Sequence, residues 1–331
     1  MTIQLSIGIT SNPRTWPVID GAVKVEGVDL TPSVLHPSEL FWRQLKFAEF
    51  DVSEMSMSSL TIATSQGPTQ WVAIPVFTTR EFFHLRALVR VASGIQKPED
   101  LKGKRVGVPE YQQTAALWIR GAMQHEFGVE PKDLEFWMER NDDHSHGAAI
   151  GFRPPKDVKL NYIPNDTNMG EMLLDGKLDG ALRYLANTNN AVDRSTLDLY
   201  RHPDFKTLYP DPHAEGVRFY QKTGIYPINH GMVIKREVAE RHPWVLTNIL
   251  KAFKAASALT DRQRVEQAEY YFETGILPSA AQKAFAAPLI THGVSANRKV
   301  LETIAQYSLE QGLTPKLTQL EDLFPPSMLS Q

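Results

Sequence analysis

The chain alternates short apolar segments of strand-like composition with segments whose apolar residues recur at helical spacing. Nine segments are predicted to be strands, at residues 3–9, 28–35, 52–55, 71–77, 85–91, 105–108, 134–137, 158–163 and 180–184. Helical patterns lie between them, at residues 37–47, 114–126 and 169–174. This alternation is typical of βαβ units on mostly parallel sheets. The sequence therefore predicts an α/β fold.

The last third of the chain has a different pattern. From Arg236 onward, apolar residues recur at helical spacing, and helices are predicted at residues 236–258, 261–274, 279–286 and 296–311. A chain of 331 residues exceeds the size that one hydrophobic core usually supports. We therefore expect two α/β lobes accompanied by C-terminal helices.

Two positions are predicted to be crossings between the lobes. After the apolar residues 85–91, a helix start at Lys97–Leu101 and the strand Arg105–Val108 open a second βα system. A strand at residues 231–235 returns the chain to the first lobe. We expect a discontinuous first lobe of residues 1–90 and 231–331, an inserted second lobe of residues 91–230, and a ligand cleft between them.

Composition excludes several classes of function. Lys and Arg total 35 against 38 Asp and Glu, and no long basic run offers a footprint for nucleic acid. The absence of cysteine excludes disulfides, thiolate metal sites and a cysteine nucleophile. No apolar run is long enough to span a bilayer, and the N-terminal segment alternates like a strand rather than a signal peptide. We expect a cytoplasmic protein without nucleic-acid or membrane partners.

Three segments carry motifs of a known family: Pro75–His84, Val106–Gly121 and Lys222–Trp244. Together they resemble the 4,5-dihydroxyphthalate decarboxylase family, and the likeness covers nearly the whole chain. The resemblance implies the two-lobed, type II periplasmic-binding-protein-like α/β fold. It also implies a homo-oligomeric lyase of aromatic-compound catabolism that decarboxylates a hydroxylated, phthalate-like acid.

Removing carbon dioxide from an aromatic acid imposes chemical requirements on the site. The ring must be protonated before the carboxylate leaves, because a carbanion in the ring plane is not delocalised by the π system. A base deprotonates a ring hydroxyl, which pushes electrons into the ring while a general acid protonates the carboxyl-bearing carbon. Such a site needs a proton donor, an acceptor for the hydroxyls and cations for the carboxylates. No organic cofactor is expected.

Four residues are candidates for the catalytic groups. His84 and His230 lie near the two predicted crossings and are candidate general acids, with a purely structural role as the alternative for each. Glu110 and Tyr111 follow a buried strand, and neither favours the turn into the next helix. An acceptor beside a phenol suits a catechol-like diol. We expect this pair to position the hydroxyls of the substrate.

Eight further residues are candidates for substrate binding. Arg80 and Arg14 are the first choices for a carboxylate clamp, because a guanidinium matches a carboxylate bidentately. Arg183 is predicted at the carboxyl edge of a parallel sheet, where open α/β sheets bind ligands. The remaining candidates are polar residues after strands, at a helix start or in a loop: Ser56, Ser58, Gln112, Thr114 and His146. Turn, helix-cap and solvated-surface roles are the alternatives.

The segment from Asp142 to His146 brings oxygen and imidazole groups into five consecutive positions. Adjacent loop residues rarely converge on one metal ion without a distant further ligand. We expect a polar, solvated loop, and the alternative is a divalent ion near His144 and His146.

A second class of function remains open at this point. A non-catalytic protein that binds an aromatic or heterocyclic carboxylic acid in the same cleft fits the same fold. Such a receptor for an importer needs export, so the N-terminal sequence favours the enzyme. The sequence leaves open the identity of the acid, the number of its carboxylates and which histidine donates the proton.

Overall fold

The computed structural model describes residues 2–186, 190–286 and 290–331. In chain order, the strands of these residues are β1 Ile3–Ile9, β2 Val28–Val34, β3 Val52–Ser56, β4 Trp71–Arg80, β5 Leu88–Arg90, β6 Arg105–Val108, β7 Glu135–Met138, β8 Lys159–Tyr162, β9 Gly180–Ala181, β10 Phe205–Thr207 and β11 Ile228–Lys235. The helices are α1 Trp16–Ile19, α2 Pro37–Phe47, α3 Met57–Ser65, α4 Thr114–Phe127, α5 Met169–Leu174, α6 Pro212–Thr223, α7 Arg236–Arg241, α8 Trp244–Glu273, α9 Gln282–Ala286, α10 Arg298–Glu310, α11 Leu320–Leu323 and α12 Pro326–Leu329.

The strands form two sheets. The first has the order β2-β1-β3-β11-β4, and the second has the order β10-β5-β9-β6-β7-β8. In the first sheet β1 pairs in parallel with β2 and β3, whereas β11 runs antiparallel to both of its neighbours. In the second sheet β6, β7 and β8 are parallel, and β5 is antiparallel to β9 and β10. The predicted α/β class is confirmed.

The chain changes sheets slightly earlier than the sequence predicts. Residues 88–90 pair with β9 and β10 and so lie in the second sheet, although they were assigned to the first lobe. The chain is back in the first sheet at Ile228 rather than at residue 231. The segment 85–91 is apolar almost throughout, so its composition does not mark where the chain leaves one sheet for the other. The division into two domains remains a prediction.

The C-terminal helices differ from the predicted ones in where they break. Helix α7 ends at Arg241, and a single 30-residue helix, α8, then runs from Trp244 to Glu273. Pro243 separates the two helices, because proline is poorly tolerated inside a helix and disfavours helical geometry in the residue before it. The break predicted near residue 260 is wrong: that segment contains neither glycine nor proline.

Helix α4 joins the second sheet to the C-terminal helices. It follows β6 of the second sheet, and its residues from Thr114 to Met123 are all buried. Close packing against α10 requires a glycine, because a Cβ atom at Gly121 would lie 2.1 Å from the ring of Tyr307. The Trp118 Nε1–H also donates to the Ile228 carbonyl at the start of β11. No helix among the described residues is both long and apolar enough to cross a membrane.

Candidate active site

A buried carboxylate and an imidazole meet on neighbouring strands of the first sheet. Glu54 on β3 is fully buried, and its Oε2 lies 3.2 Å from the Nδ1 atom of His230 on β11. Thr10 donates to Oε1 through its backbone N–H and its hydroxyl, and Thr78 donates to Oε2. These bonds hold the carboxylate in place, so the Glu54–His230 pair has a fixed orientation.

The second nitrogen of His230 faces a different partner. Asn229 Nδ2 lies 2.8 Å from His230 Nε2, and the ring of Phe41 packs edge-on with a centroid distance of 4.7 Å. A side-chain amide offers an acceptor as well as a donor, so Asn229 is able to partner Nε2 in either protonation state. The sequence analysis selected His230 but missed Glu54. A charged residue inside the otherwise uncharged strand Val52–Ser56 was the available signal.

A second buried cluster is centred on Arg140, which follows β7. Its Nε and one terminal nitrogen donate to Asp193 Oδ1 at 2.9 and 2.6 Å, and the other terminal nitrogen lies 3.2 Å from Glu110 Oε1. All three side chains are fully buried. Although burial acts to lower it, the pKa of Arg140 is raised by the two carboxylates. Burial acts to raise the pKa of Asp193, but Arg140 and the Ser38 hydroxyl hold it below its usual range.

Ser38, in the first turn of α2, joins this cluster to the first sheet. Its hydroxyl donates to Asp193 Oδ2 at 2.7 Å and accepts from Arg140 at 2.5 Å. The Ser38 carbonyl lies 3.0 Å from His146 Nε2. Helix α2 precedes a strand of the first sheet, whereas Arg140, Asp193 and His146 lie between strands of the second. Buried polar contacts therefore connect the two halves of the protein, one built around the first sheet and the other built around the second sheet.

A further polar contact between the halves involves three of the predicted binding residues. The hydroxyls of Ser56 and Thr114 lie 2.7 Å apart, and the Ser58 N–H donates to Thr114 Oγ1 at 2.9 Å. The Ser58 hydroxyl is buried and has no hydrogen-bond partner within the described residues. The structure thus brings Ser56, Ser58 and Thr114 together where the first turns of α3 and α4 meet.

Glu110 and Tyr111 do not form the predicted pair. Glu110 accepts hydrogen bonds from Arg140, from the His146 backbone N–H and from the Gln112 side chain, so its carboxylate is engaged within the protein. Tyr111 is fully buried, and the Cζ atom of the Arg120 guanidinium lies 3.7 Å from the centroid of the Tyr111 ring. Burial raises the pKa of Tyr111. Glu110 and Tyr111 thus have different surroundings, and their joint positioning of a diol stays a prediction.

His84 belongs to a cluster separate from that of His230. Its Nε2 lies 3.4 Å from Glu215 on α6, and its ring packs against Phe219 at a centroid distance of 4.7 Å. Burial acts to raise the pKa of Glu215, but Arg218 and His84 lower it to about 2. Among the described residues the two histidines share no partner, and each contacts a different carboxylate. This arrangement favours a structural role for His84.

The two arginines predicted to clamp a carboxylate have different hydrogen-bond partners, although both lie near enough to Tyr226 to influence its pKa. Arg80 donates to the carbonyls of Tyr226 and Thr291, both at 3.2 Å, and to the side chain of Asn297. Burial lowers the pKa of Arg80 to about 10. Arg14 donates through Nε to the Thr78 carbonyl at 2.9 Å and lines a cavity beside α8. Arg80 holds Thr291 and Asn297 against the end of β4, and it lines a cavity of about 410 Å³ beside Tyr226. The shared carboxylate clamp of Arg80 and Arg14 stays a prediction.

One cavity is lined by residues of both halves and has a volume of about 490 Å³. His36 and Glu81 contribute from the first half, and Arg183 contributes from the second. The remaining lining residues described are Arg86, Tyr184, Leu185, Ala186, Thr196, Asp198 and Tyr200. An Arg183 terminal nitrogen lies 3.8 Å from Glu81 Oε2. The volume falls within the range of small-molecule sites, and Arg183 offers a cation to an acid.

His36 connects this cavity with the two buried clusters. It lines the cavity, and Asp193, Arg140 and His230 lie near enough to influence its pKa. Burial is the largest influence and lowers the pKa of His36. The sequence analysis missed this residue, which precedes Pro37 at the start of α2. A polar residue before a proline that opens a helix is a recognisable N-cap signal, but it does not indicate a ligand site.

The histidines of the loop after β7 have protein partners. His144 Nδ1 lies 3.1 Å from Asn141 Oδ1, and the His144 ring packs against Trp42. His146 contacts Ser38 and Arg140, and its pKa is lowered mainly by burial. Within residues 2–186, 190–286 and 290–331, no three His, Asp or Glu side chains are grouped to hold a metal ion. The independence from cofactors remains a prediction.

Comparison with known proteins links the chain to one enzyme family. Residues 51–150 match the family model described as NMT1/THI5 like. A protein of Comamonas testosteroni is 31% identical over 332 residues, covering 99% of this chain and 98% of its own. A protein of Pseudomonas putida is 32% identical over 219 residues, covering 66% of this chain and 82% of its own. Both are named 4,5-dihydroxyphthalate decarboxylase.

Solved structures support the predicted fold. The periplasmic aliphatic sulphonate binding protein of Escherichia coli superposes with a TM-score of 0.57, and the alignment covers 100% of both chains. Its sequence identity to this chain is 16%, so the likeness concerns the fold alone. The predicted two-lobed, type II periplasmic-binding-protein-like fold is confirmed.

Proposed function

This chain belongs to the 4,5-dihydroxyphthalate decarboxylase family, and we propose on that basis that it is a carboxy-lyase acting on a hydroxylated phthalate. The position of His36 is the observation that supports assigning this reaction to particular residues. It lines a cavity that also contains Arg183, and it interacts electrostatically with His230 of the buried Glu54–His230 pair. Arg183 supplies a cation for a carboxylate in this cavity, and we infer that a substrate bound there reaches from it toward His230.

The reaction needs only acid–base chemistry. A ring hydroxyl transfers its proton to a base, and its electrons move into the ring while an acid forms a new C–H bond at the carboxyl-bearing carbon. The bond to the carboxylate then breaks, and its electron pair restores the aromatic ring as carbon dioxide leaves. The phenolate recovers a proton at the end. One proton is consumed overall, and no oxidant or reductant is required.

We assign proton donation to His230 and its positioning to Glu54. The carboxylate is placed to accept from Nδ1, so Nε2 is the atom that delivers the proton, and the substrate takes the place of Asn229 as the partner of Nε2. Glu81 lines the cavity, and although its Oε1 accepts a hydrogen bond from Arg86, we assign to its Oε2 the role of hydroxyl acceptor that was predicted for Glu110. Arg183 binds the carboxylate that the substrate retains.

Replacing Arg183 with lysine tests the assignment of the carboxylate site. Lysine keeps the charge but loses the bidentate fork, so we expect the affinity for the acid to fall by roughly tenfold, about 1.4 kcal/mol. Isothermal titration calorimetry measures this change. The matched control is Arg80→Lys, which we expect to keep the wild-type affinity because Arg80 is bound to carbonyls of the protein. The opposite result would move the carboxylate site to the cavity beside Tyr226.

Product analysis tests the reaction itself. Incubation with a panel of hydroxylated benzoates and phthalates in deuterium oxide, followed by mass spectrometry, should yield a product that has lost carbon dioxide. That product should carry deuterium at the former carboxyl carbon, as ring protonation requires. Tight binding of an acid without release of carbon dioxide would instead favour a non-catalytic binding protein.

Four further features belong to the proposal. The enzyme is cytoplasmic, it needs no cofactor, and it has no nucleic-acid or membrane partner.

It is also a homo-oligomer, in which the exposed C-terminal half of α8 packs against a second copy. Tyr270, Tyr271 and Ile276 are exposed in and just after this half of the helix, which supports burial by a partner. Light scattering should give a multiple of the 37.3 kDa chain mass, and the chain mass itself would refute the oligomer.

A further inference from the structure

The local backbone fixes one nitrogen of His36. His36 is the N-cap of α2, with φ −66° and ψ 139°, and its Nδ1 atom accepts a hydrogen bond from the Ser38 N–H at 3.3 Å. Helix N-termini leave backbone N–H groups without intrahelical partners, so this bond satisfies a donor that the helix itself does not. Nδ1 is therefore occupied as an acceptor.

This bond determines which tautomer the ring adopts. A neutral imidazole whose Nδ1 accepts a hydrogen bond carries its proton on Nε2. Protonating Nδ1 would place two donors against each other and remove the cap. The lowered pKa of His36, caused mainly by burial, agrees with a neutral ring. Nε2 has no hydrogen-bond partner in the described part of the chain, and His36 as a whole is half-buried.

We propose that His36 is a fixed neutral donor whose Nε2–H recognises a ring oxygen of the substrate. This assignment rests on the proposed function, and it makes His36 a specificity-determining residue for hydroxylated over unsubstituted aromatic acids. His36 lines the same cavity as Arg183 and Glu81. Because Nδ1 is engaged in the cap, His36 does not act as the base that removes the hydroxyl proton.

A ring oxygen fits this donor better than a carboxylate does. Carboxylates are recognised most strongly by charged donors, and Arg183 supplies one in the same cavity. The ring oxygen changes from hydroxyl to phenolate and then to a carbonyl during the reaction, and it accepts a hydrogen bond in each form. A site with a buried donor placed for such an oxygen also discriminates against an analogue that lacks it, because the donor is then left without a partner.

The tautomer is measurable without any ligand. Long-range proton–nitrogen NMR of the ¹⁵N-histidine-labelled protein at neutral pH should show His36 as neutral with its proton on Nε2. Its signals are identified by their loss in His36→Ser, in which serine preserves the N-cap and removes the distant donor. A charged ring, or a proton on Nδ1, would overturn the inference whatever reaction the enzyme catalyses.

Binding then tests recognition of the oxygen. We expect the wild-type protein to bind 4-hydroxyphthalate about tenfold more tightly than phthalate, and His36→Ser to bind both acids equally. Its affinity for phthalate should be no lower than that of the wild type, because no donor is left without a partner, and circular dichroism should confirm folding. A preserved preference in His36→Ser would refute the role of His36. If the wild-type protein binds neither acid, the proposed function fails, and the inference fails with it.

Discussion

Replacing His230 with glutamine should lower kcat for decarboxylation by about 10²- to 10⁴-fold, the usual contribution of a general acid. Substrate affinity should change little, because proton transfer stabilises the transition state and not the bound substrate. Glutamine retains hydrogen-bonding capacity but delivers no proton to the ring. Single-turnover kinetics and equilibrium binding, measured separately, distinguish the two effects.

His84→Gln is the matched control for this experiment. His84 is bound to Glu215 and packed among aromatic rings, so its replacement should reduce stability and leave turnover near the wild-type value. Thermal unfolding measures the first effect, and steady-state kinetics measures the second. Loss of turnover in His84→Gln together with normal turnover in His230→Gln would transfer the role of proton donor to His84.

Of the substitutions proposed for this protein, Arg140→Met should lower the free energy of unfolding the most. The change leaves Glu110 and Asp193 buried without their cation, and removing one partner of a buried ion pair costs about 3–5 kcal/mol. The midpoint of urea unfolding should fall accordingly. Methionine is chosen because its unbranched, flexible side chain fills much of the same space.

Arg218→Met serves as the comparison for Arg140. Arg218 also contacts two carboxylates, those of Glu215 and Glu126, but its side chain is 40% exposed. The two carboxylates are largely buried, with 5% of the Glu126 and 11% of the Glu215 side chain exposed, but Arg218 itself reaches water and Glu126 keeps Lys222 as a second cation. The unfolding midpoint should therefore move less than it does for Arg140. Combining Arg140→Met with Glu110→Gln and Asp193→Asn should recover part of the loss. Equal effects of the two arginine substitutions would show that the Arg140 cluster contributes no more than a surface contact.

Local patterns in the sequence predicted the architecture well. Strands and helices depend on spacings of two to four residues, so alternation alone indicated an α/β fold with C-terminal helices. The family motifs were equally readable, because they are contiguous. The helix break that was wrongly predicted near residue 260 also has a local cause. The buried residues of α8 lie mostly before residue 258, so its apolar pattern weakens there although the helix itself continues into solvent.

The chemistry of the site was less predictable because its partners are distant in sequence. Glu54 and His230 are separated by 176 positions, and Ser38 and Asp193 by 155. Sequence reasoning selected His230 from its position at a crossing, but it had no means of pairing the ring with Glu54. It chose Arg80 and Glu110 for their chemistry, whereas the fold had already engaged both groups in internal bonds.

The position of β11 has a consequence for how the protein is made. β11 lies between β3 and β4 in the first sheet, yet it follows both by more than a hundred residues. A growing chain therefore cannot complete this sheet until residue 235 has left the ribosome, whereas the second sheet draws all its strands from residues 88–207. Such long-range pairing slows folding and leaves unpaired strand edges exposed meanwhile. We expect the half around the second sheet to fold first during synthesis. The edges of β3 and β4 should stay unpaired until β11 is made.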